Sequence, residues 1–365
     1  MKILIDISHP AQAHFFKYFI KSMQNKGHDI KITAKDKDLT LKLLDLLGFD
    51  YHIIGSYRKN TILKFIDLLK IDYSLYTFCN KYNPDLVIGF GSINAAHASF
   101  LVNRPCVIFD DDEYSYRLYK QFASTICTTH TFKLNLGKKH IKFNGYKELA
   151  YLHPNYFVPD PHELETLGIN KNEDFIIMRF VGWNAFHDIG KQGLGDQSKV
   201  DYVKALEKYA RIFISSENPL PPELQKYKIN LSPDKIHHVL YFAKLLIGDT
   251  QTMTTEAAIL GTPSIRCNSF VGENDMLNFI ELEEKYGLIF NYKDPEKSLE
   301  KAIELVQNPD LKNIWKQKRE NMLNDKIDVT SFMISFIENY PESFYKIVKD
   351  NSSFGNPPSS NIGLY

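Results

Sequence analysis

Little in this chain marks the easily recognised protein classes. It has four cysteines (Cys79, Cys106, Cys127 and Cys267), scattered without a CxxC pair or metal-ligand spacing. That excludes a disulfide framework and a zinc knuckle; Cys106 and Cys267, in apolar runs, read as small buried hydrophobes. An excess of one charge is also missing: Lys+Arg and Asp+Glu number 44 each. With no global field to draw the protein to nucleic acid, any basic patch must be local. No window approaches the ~20 consecutive apolar residues of a membrane span. The start, MKILIDISHP, lacks the long apolar stretch and small-residue cleavage site of a signal peptide, so a cytoplasmic protein is expected. What is present is ordinary globular composition, 44% hydrophobic and 24% charged, over 365 residues. That length exceeds what one core usually serves and predicts two domains.

The first half alternates short apolar runs with helical patterns. KILIDI (2–7), DIKITA (29–34), residues 51–54, DLVIGFG (85–91), CVIFDDD (106–112), ICTT (126–129) and KHIKFNG (139–145) read as strands. Helices are expected over 13–27, 37–47, 61–82, from 93 and near 115–123. Strand–helix alternation with short connections predicts βαβ units and a parallel sheet, whose strands, buried on both faces, read as apolar runs. Three prolines interrupt the pattern in YLHPNYFVPDPHE (151–163), the best domain boundary. A second series follows, with strands at 175–182, 210–216, 228–232, 244–249, 262–267 and 287–292. The division is then 1–150 as an N-terminal Rossmann-like domain, 151–170 as linker and 171–328 as a C-terminal Rossmann-like domain. A helical segment covers 329–350. The tail 351–365, rich in Ser, Asn and Pro, is expected to be disordered.

In doubly wound sheets, ligands bind beyond the carboxyl ends of the strands. At one such end, KLLIGD runs into TQTMTTEAAILG, a turn feeding a helix that stops at Gly261. Thr250, Gln251 and Thr252 lie where helix-start N–H groups lack intrahelical partners, a geometry that suits a diphosphate. Glu256 lies one turn further, and its carboxylate suits the paired hydroxyls of a ribose. A Thr cap with a Glu in the first turn explains the same residues without a ligand.

This stretch resembles the C-terminal signature of GT-B glycosyltransferases and of the non-hydrolysing UDP-GlcNAc 2-epimerases that share their fold. Gly248, Thr252, Glu256, Ala257, Gly261 and Pro263 follow that pattern in order, although Thr250-Gln251-Thr252 replaces the commoner glycines. Across most of the chain, DISHPAQAHFF, GFGSINAAHAS, GYKELAYLHPNYF and MRFVGWNAFHD resemble domain of unknown function 354, a family placed in the GT-B superfamily by similarity. The resemblance implies two doubly wound domains with mostly parallel sheets and a cleft between them. It also implies that Glu256 binds the ribose of UDP.

Other polar groups sit at strand ends. His9 and His14 follow the first strand and suit a general base, although a turn role for His9 and a core role for His14 explain them equally. GFGSINAAHAS (89–99) places Ser92 and Asn94 at a helix start, where capping accounts for them nearly as well. FDDDEYSY (109–116) is the densest acidic cluster; Asp110-x-Asp112 resembles a metal-binding Asp-x-Asp. Its place in an N-terminal Rossmann-like half favours Asp111 or Glu113 as a base and the others as helix caps, with no metal. Arg179 suits phosphate or a structural pair. His187 lies where the epimerases carry a diphosphate-contacting His, and Asp188 is positioned to orient it. Thr255, Asn184, Ser216 and Asn274 complete the expected nucleotide contacts, with capping an equal alternative for the last two. GKQGLGDQ (190–197) reads as a loop able to close over substrate.

AHFFKYFIKSMQNK and YRKNTILKFIDLLKIDYSLY mix basic and apolar residues at helical spacing. Such a face suits a buried helix with solvated lysines, or peripheral contact with the inner face of a membrane. The expected activity is transfer of a sugar from a nucleoside diphosphate, UDP foremost, to a glycan or lipid-linked acceptor in surface polysaccharide synthesis. No cofactor beyond the nucleotide-sugar substrate and no nucleic-acid partner are expected. A UDP-sugar epimerase and a non-catalytic nucleotide-sugar-binding protein are the alternatives. The absence of an Arg-Pro-Glu first loop counts against the epimerase.

Overall fold

Short runs of branched and aromatic residues build two separate parallel sheets. The computed structural model describes residues 1–37, 39–56, 61–170, 173–183, 192–272 and 275–353. The chain forms two units: Met1–Tyr151 together with the segment from Lys326, and Leu152–Asp325.

Unit 1 holds seven strands: β1 (Lys2–Ile7), β2 (Asp29–Lys35), β3 (Tyr51–Gly55), β4 (Leu86–Phe90), β5 (Cys106–Asp110), β6 (Thr125–Thr129) and β7 (His140–Phe143). They run parallel in the order β3-β2-β1-β4-β5-β6-β7. Strand order reverses between β1 and β4, which opens a crevice beyond their carboxyl ends. Helices α1 (Pro10–Asn25), α2 (Thr40–Leu46), α3 (Thr61–Tyr82), α4 (Ile93–Leu101), α5 (Tyr116–Tyr119) and α6 (Leu149–Leu152) fill the connections. The helix expected near 115–123 shrinks to one turn, α5. Buried side chains of β1, β4, β5 and β6 pack with Ile71, Leu75 and Cys79 of α3 and the alanines of α4 in one core.

Unit 2 contains β8 (Phe175–Phe180), β9 (Arg211–Ser216), β10 (Leu245–Gly248), β11 (Ser264–Cys267) and β12 (Ile289–Tyr292), parallel in the order β12-β11-β10-β8-β9. Here the order reverses between β8 and β10. Helices α7 (Asp196–Leu206), α8 (Ile236–Phe242), α9 (Thr252–Leu260), α10 (Leu277–Glu284), α11 (Pro295–Val306) and α12 (Leu311–Asp325) accompany them. The strand expected at 228–232 is reduced to one bridge, Ile214 with Lys228. Pro233 ends the run, and its residues are half-buried or exposed, so no second bridge forms.

Two boundaries differ from the sequence expectation. Segment 151–170, expected as a linker, belongs to unit 2 from Leu152. There Asp160 caps a 3-10 turn over Pro161–Leu167 that buries Leu164. The expected separate helical segment, α13 (Val329–Glu338) and α14 (Glu342–Ser353), belongs to unit 1. Val329, Phe332, Met333, Phe336 and Ile337 of α13 are buried at helical spacing, and α13 packs against α1. Gly145 admits that approach, since a Cβ there would lie 2.7 Å from Val329 Cγ2.

Candidate functional site

In unit 2 the chain narrows at Gly248, opposite Arg179 in the register of β10 and β8. A Cβ on Gly248 would overlap the Arg179 carbonyl oxygen, so only glycine lets the strands close up at the crevice. The next residue, Asp249, is buried, and its carboxylate accepts hydrogen bonds from Val181 N (2.9 Å), Trp183 Nε1 (3.1 Å) and Leu194 N (3.2 Å). Burial raises its pKa against those three donors. Asp249 thereby ties the residues after β8 to those before α7. A Cβ on Gly193 would overlap both Asp249 Oδ2 and Trp183 Nε1, so a glycine is required there also. Gln192 N donates to Ser269 Oγ (2.8 Å) and Ser269 N donates back to Gln192 O (3.1 Å). The described end of the loop expected to close over substrate is therefore tethered. Trp183, at a φ of 51°, stacks on Phe270 with centroids 5.9 Å apart.

Helix α9 begins at Thr252, with Gln251 in the cap position and no side-chain cap bond among the described residues. Helices α2, α5, α7, α8 and α10 likewise start without a side-chain cap bond among the described residues, whereas His9, Ser92, Asp294 and Asp328 cap α1, α4, α11 and α13. The first-turn N–H groups of α9 thus start without a side-chain acceptor at the point where strand order reverses. Thr250 is buried, and its carbonyl accepts Thr254 Oγ1 at 2.8 Å. Thr255 Oγ1 is buried without a hydrogen-bond partner among the described residues. Glu256 is buried, and its Oε1 lies 2.9 Å from Nε2 of His237 on α8, itself 2% exposed. Gly261, at a φ of 82°, ends α9.

Arg179 donates to Ser215 Oγ (2.9 Å) and pairs with Glu217, which also accepts Gly182 N (2.8 Å). Its guanidinium braces the ends of β8 and β9, the structural pairing that the sequence left open. Ser216 Oγ donates to Asn218 O of its own turn. Asn184, His187, Asp188 and Asn274 lie outside the described residues.

In unit 1, Asp6 at the end of β1 is fully buried and accepts Thr33 Oγ1 (3.0 Å) and Ser92 Oγ. Lys35 Nζ lies 3.8 Å from Asp6 and donates to Asn94 Oδ1 (2.6 Å), whose Nδ2 donates to Asp72. These groups knit β1, β2, α3 and α4 beneath the crevice. His9 caps α1: its Nδ1 accepts Ala11 N (3.2 Å), which leaves Nε2 as the protonated nitrogen of the neutral ring. His14 is buried and stacks on Tyr151, centroids 5.4 Å apart.

The acidic cluster divides by task. Asp110 is buried, accepts Asp111 N (2.9 Å), Asp112 N (3.0 Å) and the Tyr119 hydroxyl, and burial pushes its pKa up to about 7. Glu113 accepts Lys133 N and so pins the loop after β6. Asp111 pairs with Lys147 Nζ at 2.6 Å, both half-buried, and Asp111 with Glu148 holds that ammonium charged against its burial. Among the described residues no group of three His, Cys, Asp or Glu is arranged to hold a metal.

Sequence reasoning missed His237, Asp249 and Lys147. The doublet His237-His238 at a helix start and the Asp ending KLLIGD were visible signals. Lys147 lay within the block GYKELAYLHPNYF, with no role attached to it.

The family described as "Protein of unknown function (DUF354)" matches residues 1–340. An uncharacterized protein of Methanocaldococcus jannaschii is 23% identical over 286 residues, 73% of this chain and 82% of that protein. Among solved structures, UDP-GlcNAc 2-epimerase from Neisseria meningitidis bound to UDP-GlcNAc aligns with a TM-score of 0.63 at 16% identity, covering 95% of this chain and 100% of its own. A glycosyltransferase of Streptomyces sp. SF2575 complexed with thymidine diphosphate aligns with a TM-score of 0.61 at 10% identity, covering 93% and 99%. At these identities the likeness shows the fold, that of the GT-B glycosyltransferases and epimerases.

Proposed function

The chain belongs to the DUF354 family, and from that premise we propose that it is a glycosyltransferase using a nucleoside-diphosphate sugar, UDP-linked foremost, in surface polysaccharide synthesis. One observation carries the reading: a helix start without a side-chain cap at the strand-order reversal of unit 2, one turn from a buried Glu256 braced by His237. The α9 N–H groups, with Thr250, Gln251, Thr252 and the buried Thr255 hydroxyl, bind the diphosphate. Glu256 accepts the ribose hydroxyls, and His237 fixes its carboxylate for that purpose. The Neisseria and Streptomyces proteins bind UDP-GlcNAc and thymidine diphosphate on the same fold, which supports a nucleotide ligand here.

In the transfer step an acceptor hydroxyl oxygen, of a glycan or lipid-linked sugar, bonds to the anomeric carbon. The bond from that carbon to the diphosphate breaks, and the hydroxyl proton passes to a carboxylate. The positive end of α9 takes up the charge developing on the departing diphosphate, so no metal is required by this scheme. Asp111 is our candidate acceptor of the proton. Its carboxylate pairs with Lys147, whereas Asp110, Asp112 and Glu113 are committed to backbone N–H groups.

The test is NMR of the pure protein with a panel of UDP- and other nucleotide sugars. Slow hydrolysis that releases UDP is expected. Conversion to a different intact UDP-sugar replaces the transferase with an epimerase, and no binding of any nucleotide overturns both.

A further inference from the structure

Seven of the large hydrophobic side chains left exposed lie on or beside three adjoining helices of unit 1: Ile66, Leu69 and Tyr73 of α3, Phe100 and Leu101 of α4, Leu118 of α5, and Tyr114 just before it. His97 joins the three helices: its Nδ1 lies 3.0 Å from Asp72 of α3, and its Nε2 lies 3.1 Å from the Leu118 carbonyl. Leu69 and Tyr73 flank Asp72 on α3, and Phe100 and Leu101 lie one turn beyond His97, so the apolar groups gather around one junction. Tyr73, Phe100 and Leu101 are each at least 60% exposed. Gathered exposure of this kind marks an interaction surface.

The exposed charges on the three helices have one sign, and the acids just before Tyr114, Asp112 and Glu113, accept Tyr114 N and Lys133 N. Lys70, Lys81 and Arg117 are exposed on α3 and α5, and Lys120 follows. The acids of the three helices are Asp67, which is buried, and Asp72, which is committed to Asn94 and His97. A second copy of this chain, placed by a two-fold axis, would bring these cations against each other. An anionic bilayer would meet them with opposite charge while its interfacial zone takes up leucine, phenylalanine and tyrosine side chains.

We infer that the outer face of α3, α4 and α5 docks unit 1 on an anionic lipid surface. This does not depend on the sugar chemistry proposed above, and its test does not use it. The full chain is sedimented with vesicles of phosphatidylcholine alone and of phosphatidylcholine mixed with phosphatidylglycerol. Binding is expected to the mixed vesicles only and to weaken as salt rises. The double variant Phe100→Glu/Leu101→Glu should bind at least about tenfold more weakly, as loss of two inserted side chains implies, with its unfolding midpoint close to the parent's. A second variant, Lys70→Glu/Arg117→Glu, leaves the apolar groups in place and should lose the preference for anionic lipid. Equal binding by parent and variants, or no binding to mixed vesicles at low salt, overturns the inference. So does a dimer, seen by light scattering, that the Phe100→Glu/Leu101→Glu change dissolves, because the covering partner is then a second copy.

Discussion

A carboxylate can serve as a ligand contact only if something holds it in place, and His237 does so for Glu256. Removing the contact itself by Glu256→Ala should weaken UDP binding about ten- to hundredfold, the scale of a lost charged hydrogen bond. Removing the brace by His237→Asn should cost less, about three- to tenfold. Calorimetric titration checks both, and unchanged affinity in Glu256→Ala would remove this residue from the site. Asp110 carries a different consequence. Folding raises its pKa from the ordinary carboxylate range to about 7, so between those values the folded state holds a proton that the unfolded chain has released. Its contribution to stability is complete below about pH 4 and is lost as pH rises through about 7. Unfolding midpoints should therefore fall between pH 5 and pH 8 more steeply in the parent than in Asp110→Asn, a difference that calorimetric scans resolve.

The elements were the legible part of the sequence. DLVIGF and CVIFD announce themselves because a parallel strand covered on both faces needs apolar residues throughout. KINLS shares the alternation of a strand but lacks the second face, and it makes one bridge beside β9. The segment of α13 was legible as helical, yet nothing local said that its apolar stripe is buried in unit 1. Phe336→Ala on that stripe should destabilise unit 1 by about 3 kcal/mol or more, as emptying a buried aromatic site does. Urea denaturation measures it, and a cost below about 1 kcal/mol would mean that α13 is not part of the unit 1 core. The site was half legible for the same reason. Thr250 to Glu256 sit together in the chain, so the turn could be read. Lys147 reaches Asp111, and Val181, Trp183 and Leu194 reach Asp249, only through the fold.

For the whole molecule, a ligand that binds one unit stabilises that unit by mass action. UDP at about a hundred times its dissociation constant should add about 2.7 kcal/mol. Hydrogen-exchange protection should rise in α8 and α9 while the strands of unit 1 keep their rates. Protection confined to unit 1 would place the nucleotide on the wrong sheet for the function proposed here.

The return of α13 to the first sheet also fixes an order of assembly. Residues 152–325 are continuous and can condense as soon as they leave the ribosome, but unit 1 is interrupted by them. At about 5–20 residues per second, roughly 10–35 s of synthesis separates its two parts. During that interval the side of α1 that α13 later covers is bare to the cell. A nascent chain halted near residue 325 should therefore recruit chaperones through its earliest helix rather than through its newest residues.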